Sequence, residues 1–199
     1  MKTVEIIGYK RANLGKSESK KLRAEGNVPS VLYGGKEQIH FHAPMILFRD
    51  IVYTPEARFV DLNIEGHKTR AVLQDIQFHP VSEIILHADF LELFDDKPVT
   101  MDIPLKTVGN APGVQSGGKL IMKLTHAKVK AMPANMPEFI DVDISALQLG
   151  KTVKIGALEV GDFEILNSDL VTICSVEVPR AMRGKTGEEE GEEEEESTE

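Results

Sequence analysis

Three side chains in the middle of the chain have types suited to chemistry: His79, His87 and Asp89. Imidazole and carboxylate can ligate a metal or pass a proton, and on a strand His87 and Asp89, two residues apart, share a face. A metal centre ordinarily takes three or four ligands, and no H-E-x-x-H, C-x-x-C or carboxylate cluster supplies them. No nucleophile, base and orienting group come together either. The sequence therefore predicts no catalytic residue, no metal site and no cofactor. The loop GVQSGGK, Gly113 to Lys119, has a partial likeness to a phosphate loop, but its spacing is wrong, Leu120 follows it and no helix is predicted after it. It reads as a turn between strands.

A different chemistry is concentrated between Gly8 and Gly35. Lys10, Arg11, Lys16, Lys20, Lys21 and Arg23, with Lys36 just outside, face only Glu18 and Glu25 in this stretch, although the chain's formal net charge is −9. Residues 184–199 carry nine Glu against one Lys and account for most of that excess. Clustered ammonium and guanidinium groups neutralise several phosphates at once and release their counterions, so the stretch points to a polyanion. A solvated surface helix would show the same composition, and charge alone does not separate the two.

The elements that must position these groups are mostly strands. Thr3 to Tyr9 alternates as a first strand, and Ser17 or Ser19 is placed to cap a short helix through Glu25, stopped by Gly26 and Pro29 with Leu22 as its one apolar anchor. Ser30 to Tyr33 and Ile39 to Phe41 flank a glycine turn, and Pro44 opens an amphipathic helix limited by Pro55. Arg58 to Ile64 and His67 to Phe78 form a hairpin around Glu65 and Gly66. In the next strand, Ile84 to Leu93, one period-two set is Ile84, Leu86, Ala88 and Phe90, and the other is Ile85, His87, Asp89 and Leu91. Past the polar DDKP at Asp95 to Pro98, short alternating segments continue to Val178.

The fold class is mainly β with short helices (α+β). The expected domains are 1–94, a β-rich 95–183, and a solvated, disordered Glu-rich tail at 184–199, too polar to bury a core. Cys174, the single cysteine, sits in VTICSVEV as a small buried hydrophobe and suits a reducing compartment. The N-terminus has no signal-peptide h-region, and no stretch reaches the length needed to span a bilayer. The chain reads as cytosolic.

GKSESKKLRAEGNVPSVLYGG, LQDIQFHP and HADF occur in this order within one N-terminal segment, and the chain resembles the bacterial large-subunit ribosomal protein twenty-five family. VTMDIPLKTVGNAPGVQSGGKL and MPEFIDVDISALQLG resemble the second domain of its long form, the general stress protein CTC type. The resemblance implies a six-stranded β-barrel that binds 5S rRNA at its irregular loop E through the minor groove, a β-rich C-terminal domain, and no enzymatic activity. Arg11, Lys16, Ser19, Lys20 and Arg23 would meet the sugar–phosphate backbone. Tyr33, Gln74, Asp75, Gln77, His87 and Asp89 would form the sheet surface facing the groove, offering donors and acceptors to base edges and 2′-hydroxyls.

Lys20 and Lys21 stand where the family usually has an arginine pair, which keeps the charge and loses the bidentate fork. KSES stands where a small glycine or alanine is common, and Phe78 where an arginine is common. The expected partners are 5S rRNA and other components of the large ribosomal subunit, with no membrane, no small-molecule substrate, and a monomer when free. The alternative from another class is a protein-interaction or stress adaptor that recruits a basic partner through the C-terminal domain and the acidic tail. The opposite charges at the two ends also suggest a tail that deters non-specific RNA.

Overall fold

The computed structural model describes residues 1–35, 37–158 and 161–179. The expected tail at 184–199 and Lys36 lie outside the described residues. The chain clusters into two compact units. The first comprises Met1–Pro104 with Lys128–Phe139 and Gly161–Ile165, Lys36 aside; the second takes Leu105–Ala127 and, of the described residues, 140–158 and 166–179.

In the first unit six strands close into a barrel: β1 (Thr3–Lys10), β2 (Asn27–Tyr33), β3 (Ile39–Pro44), β4 (Phe59–Ile64), β5 (His67–Phe78) and β6 (Ile85–Glu92). Their order around the barrel is β1-β3-β2-β6-β5-β4. Closure is made by β1 and β4, which run parallel from Thr3↔Phe59 to Gly8↔Ile64. Closing the sheet on itself removes the exposed edges an open sheet would carry. One residue of every alternating pair points inward, and Ile6, Leu32, Phe41, Phe48, Leu62 and Phe90 fill the interior, all fully buried. Phe90 stacks at tilted angles against both Phe41 and Phe48, with centroids 5.8 and 6.1 Å apart. Gly8 is required by this packing, because a Cβ there would lie 2.6 Å from Phe41 Cδ2.

Helix α1 (Lys16–Ala24) joins β1 to β2 and packs on β2 through its one buried residue, Leu22. Its N-cap is Gly15, with no side-chain cap, instead of Ser17 or Ser19. The Ser19 hydroxyl bonds back to the Gly15 carbonyl at 2.9 Å, an i to i−4 contact that takes it out of the capping role. The helix expected after Pro44 is a 3-10 turn, Met45–Phe48, running into the single turn α2 (Arg49–Val52).

The remaining strands are β7 (Val99–Val108), β8 (Lys119–Met122), β9 (His126–Ala131), β10 (Ile140–Asp143), β11 (Thr152–Lys154), β12 (Glu164–Ile165) and β13 (Thr172–Glu177). They form sheets of order β10-β7-β9-β12 and β11-β13-β8. Val142, Ile144, Leu147, Ile155, Ile173, Cys174 and Val176 are buried in the second unit. Burial pushes the Cys174 thiol up from its ordinary value, in keeping with an inert core residue. The glycine-rich loop holds the single turn α3 (Pro112–Gln115) and folds on itself, Gly118 N donating to Gly113 O at 2.9 Å. A Cβ on Gly113 would lie 2.6 Å from the backbone at Gln148 and Leu149, so its glycine serves close packing.

Candidate nucleic-acid interface

The polar residues singled out on β5 and β6 meet on the outside of the barrel because two β-bulges put them there. Along β5 the register runs from Leu73↔Phe90 to Asp75↔Asp89, which leaves Gln74 as an extra residue. Along β6 it runs from Gln77↔His87 to Phe78↔Ile85, which leaves Leu86 as an extra residue. Strict alternation would separate Asp75 from the outer face once Leu73 and Phe90 point to the core; the bulge at Gln74 restores it. The second bulge corrects the sequence reading of β6. Ile85 does not share a face with His87 and Asp89 but joins the core at 1% exposure, and Ile84 is instead exposed.

Directly opposed residues in a sheet project to the same side. Asp75 faces Asp89 across β5 and β6, Asp89 faces Val31 across β6 and β2, and Val31 faces His40 across β2 and β3. Gln77 faces His87 in the neighbouring position. His87 Nδ1 lies 2.8 Å from Asp89 Oδ1, an ion pair when the ring carries its second proton. The distance suits a charge contact but its alignment is not that of a hydrogen bond, so Asp89 Oδ1 is a buried oxygen without an aligned donor. Asp75 Oδ1 accepts the Ile76 N–H at 2.9 Å. Tyr33, two residues beyond Val31, is half-buried. Its burial, then the charges of Asp89 and Asp75, raise the phenol's pKa above the ordinary value, so it stays a hydroxyl donor at neutral pH. Gln74, Asp75 and Gln77 are exposed.

The basic residues lie next to this face, since α1 rests on β2 and β2 is bonded to β6. The Arg11 guanidinium donates from Nη2 to Ser19 Oγ at 3.1 Å, and Arg11 N donates to His40 O at 3.0 Å. Ser19 thereby holds Arg11 to the first turn of α1, a positioning role that Ser17 does not share. Lys16, Lys20 and Lys21 are exposed, and Arg23 is half-buried. Among the described residues no carboxylate comes within 4.0 Å of the side-chain nitrogens of Lys10, Arg11, Lys16, Lys20, Lys21 or Arg23.

His79 does not join His87 and Asp89. Its Nδ1 accepts the N–H groups of Val81 and Ser82 at 3.3 and 3.2 Å and so closes the β5–β6 turn. Among the described residues no group of three His, Cys, Asp or Glu is arranged to hold a metal. Two imidazoles that sequence reasoning passed over lie on the same side of the sheet. His40 opposes Val31, and His42 sits opposite Tyr9 with ring centroids 5.8 Å apart. The alternation of His40 and His42 with the core residues Phe41 and Ala43 is the signal that marks them as outward-facing.

Comparison with known proteins gives a family. A model described as the Ribosomal L25p family matches residues 6–90, and one described as Ribosomal protein TL5, C-terminal domain, matches residues 98–180. A protein named Large ribosomal subunit protein bL25 from Cytophaga hutchinsonii is 52% identical over 183 residues, covering 92% of this chain and 95% of its own length. Its namesake from Amoebophilus asiaticus is 51% identical over 191 residues, covering 96% and 97%. Another, from Porphyromonas gingivalis, is 42% identical over 186 residues, covering 92% and 97%.

Proposed function

Because the chain belongs to the Ribosomal L25p family, we propose that it is a structural constituent of the large ribosomal subunit that grips 5S rRNA with its N-terminal domain. The family is structural, and the chain is not an enzyme. In this reading the RNA-binding domain is 1–94 and the β-rich domain 95–183, the ribosome in the cytoplasm is its place of work, and the free protein is a monomer.

The observation that carries the reading is the side-by-side placement of unpaired cations and an outward polar face. Arg11, Lys16, Lys20 and Arg23 supply charge for phosphates, with Ser19 fixing Arg11. Tyr33, Gln74, Asp75, Gln77, His87 and Asp89 supply donors and acceptors of the kind that read a wide minor groove, its 2′-hydroxyls and irregular base edges. Like charges directly opposed across two strands are destabilising. Among the described residues the free protein gives Asp75 the Ile76 N–H and Asp89 the His87 ring but nothing that bridges the two carboxylates, whereas amino and hydroxyl donors of a bound RNA would bridge them. An A-form helix whose regular geometry is broken exposes such donors; a uniform duplex exposes fewer.

Calorimetric titration of the full chain with a fragment carrying the irregular 5S helix, against an unrelated regular duplex of equal length, tests this. A preference of about 10³-fold, at the low end of specific over non-specific recognition, is expected. Equal affinity for the two RNAs rejects the reading.

A further inference from the structure

Lys16, Lys20 and Arg23 stand at spacings of four and three along α1 and so line one side of it, while Leu22 turns away into the packing against β2. Their nearest acidic companions in sequence are Glu18 and Glu25, and neither pairs with them. A cationic stripe of this kind, left without partners among the described residues, attracts a polyanion. The chain supplies one. Twenty residues follow Pro179, and nine of them are glutamates, five consecutive from Glu192 to Glu196. Fully stretched, they span at most about 70 Å, roughly twice the diameter of a domain of about 100 residues.

We propose that the glutamate-rich segment is the resident ligand of the α1 stripe, occupying Lys16, Lys20 and Arg23 until RNA displaces it. The inference rests on α1 being the phosphate grip described above. A covalently attached competitor acts at an effective concentration set by its tether, in the millimolar range for a short one. It weakens every RNA complex that uses α1 by the same factor. The ratio between specific and adventitious RNA is unchanged, but adventitious complexes, already weak, fall below working concentrations. The intended complex, held also by the sheet face, stays saturated.

The test uses the full chain with its nine terminal glutamates changed to glutamine. Without RNA, the amide and side-chain NMR signals of Lys16 to Arg23 are compared between this variant and the parent. A difference at low salt that vanishes at about 0.5 M, where the screening length is about 4 Å, is expected. In titrations at low salt the variant should bind both the irregular 5S fragment and a regular duplex several-fold more tightly, by one common factor. That factor should fall to about one when Lys16→Gln, Lys20→Gln and Arg23→Gln are also present. Identical spectra, or a gain that survives neutralisation of α1, overturn the proposal, the latter assigning the effect to net charge acting at a distance. The spectra contain no RNA. A failure to prefer the 5S fragment would thus reject the proposed function without deciding this point.

Discussion

Two regions of the barrel carry similar numbers of basic residues and treat them oppositely. Near the start of β1 and along β4 and β5, three of the four Lys and Arg side chains, Lys2, Arg58 and Arg70, have a local answer, Lys68 being the exception. Lys2 and Arg58 both reach Glu56, at 2.9 and 3.0 Å, and Arg70 lies 3.5 Å from Asp61. Hydrogen bonds from Lys2 and then Arg58 hold the Glu56 carboxyl below its usual value. On α1 and the loop before it no carboxylate among the described residues gives such an answer. Exposed ion pairs add little to stability, so pairing in the first region neutralises the surface more than it strengthens the fold. Leaving the second region unpaired among the described residues keeps its potential available to a polyanion.

Breaking the unpaired side should have the largest effect. Lys16→Gln, Lys20→Gln and Arg23→Gln together should reduce affinity for the 5S fragment by about 10²-fold or more near 0.1 M salt. The slope of log K against log salt should become shallower by about three units, one for each phosphate that is no longer neutralised. Affinity measured across a salt series checks both, and an unchanged slope would show that these residues do not meet phosphates. Asp89→Ala tests the sheet face beside them. It should leave the salt slope alone and cost about tenfold in preference for the irregular helix, because RNA donors would be left unpaired. An undiminished preference rejects Asp89 as a reader. The smallest effect belongs to the paired region. Lys2→Gln should change RNA affinity less than about twofold and shift Tm by no more than about 2 °C, which titration and a thermal melt would verify. A loss comparable with that of the α1 substitutions would erase the contrast between the two regions.

Much of this was legible in the residues. The period-two patterns over Thr3–Lys10 and His67–Phe78 locate their strands closely because one face of each must be buried. The basic helix is visible from its charge and its lone Leu22. Closure of the barrel is not visible, since the pairing of β1 with β4 joins segments some fifty residues apart, and no local pattern encodes it. Bulges escape a period-two reading for a physical reason: alternation assumes one residue against one, and Gln74 and Leu86 are each the second of two against one. That is why Ile85 reads with His87 in the sequence and packs with Phe90 in the structure. The capping role expected of Ser19 fails because the helix already begins at Lys16, which puts Ser19 inside it, where its hydroxyl donates to Gly15 O and accepts from Arg11.

The bulge at Gln74 also sets where this strand can lose a residue without losing its outer face. Loss of the single codon for residue 74 removes no charge and no core atom, and it would leave Leu73 opposite Phe90 and Asp75 opposite Asp89 in an unbroken ladder, with Leu73 still inward and Asp75 and Gln77 still outward. What such a deletion takes away is the local bend and twist that the extra residue gives β5. It should leave unfolding of the barrel cooperative. One residue inserted between Asp75 and Ile76, with no bulge of its own to absorb it, would instead turn Ile76 out to water and Gln77 inward, and should cost the melt its cooperativity.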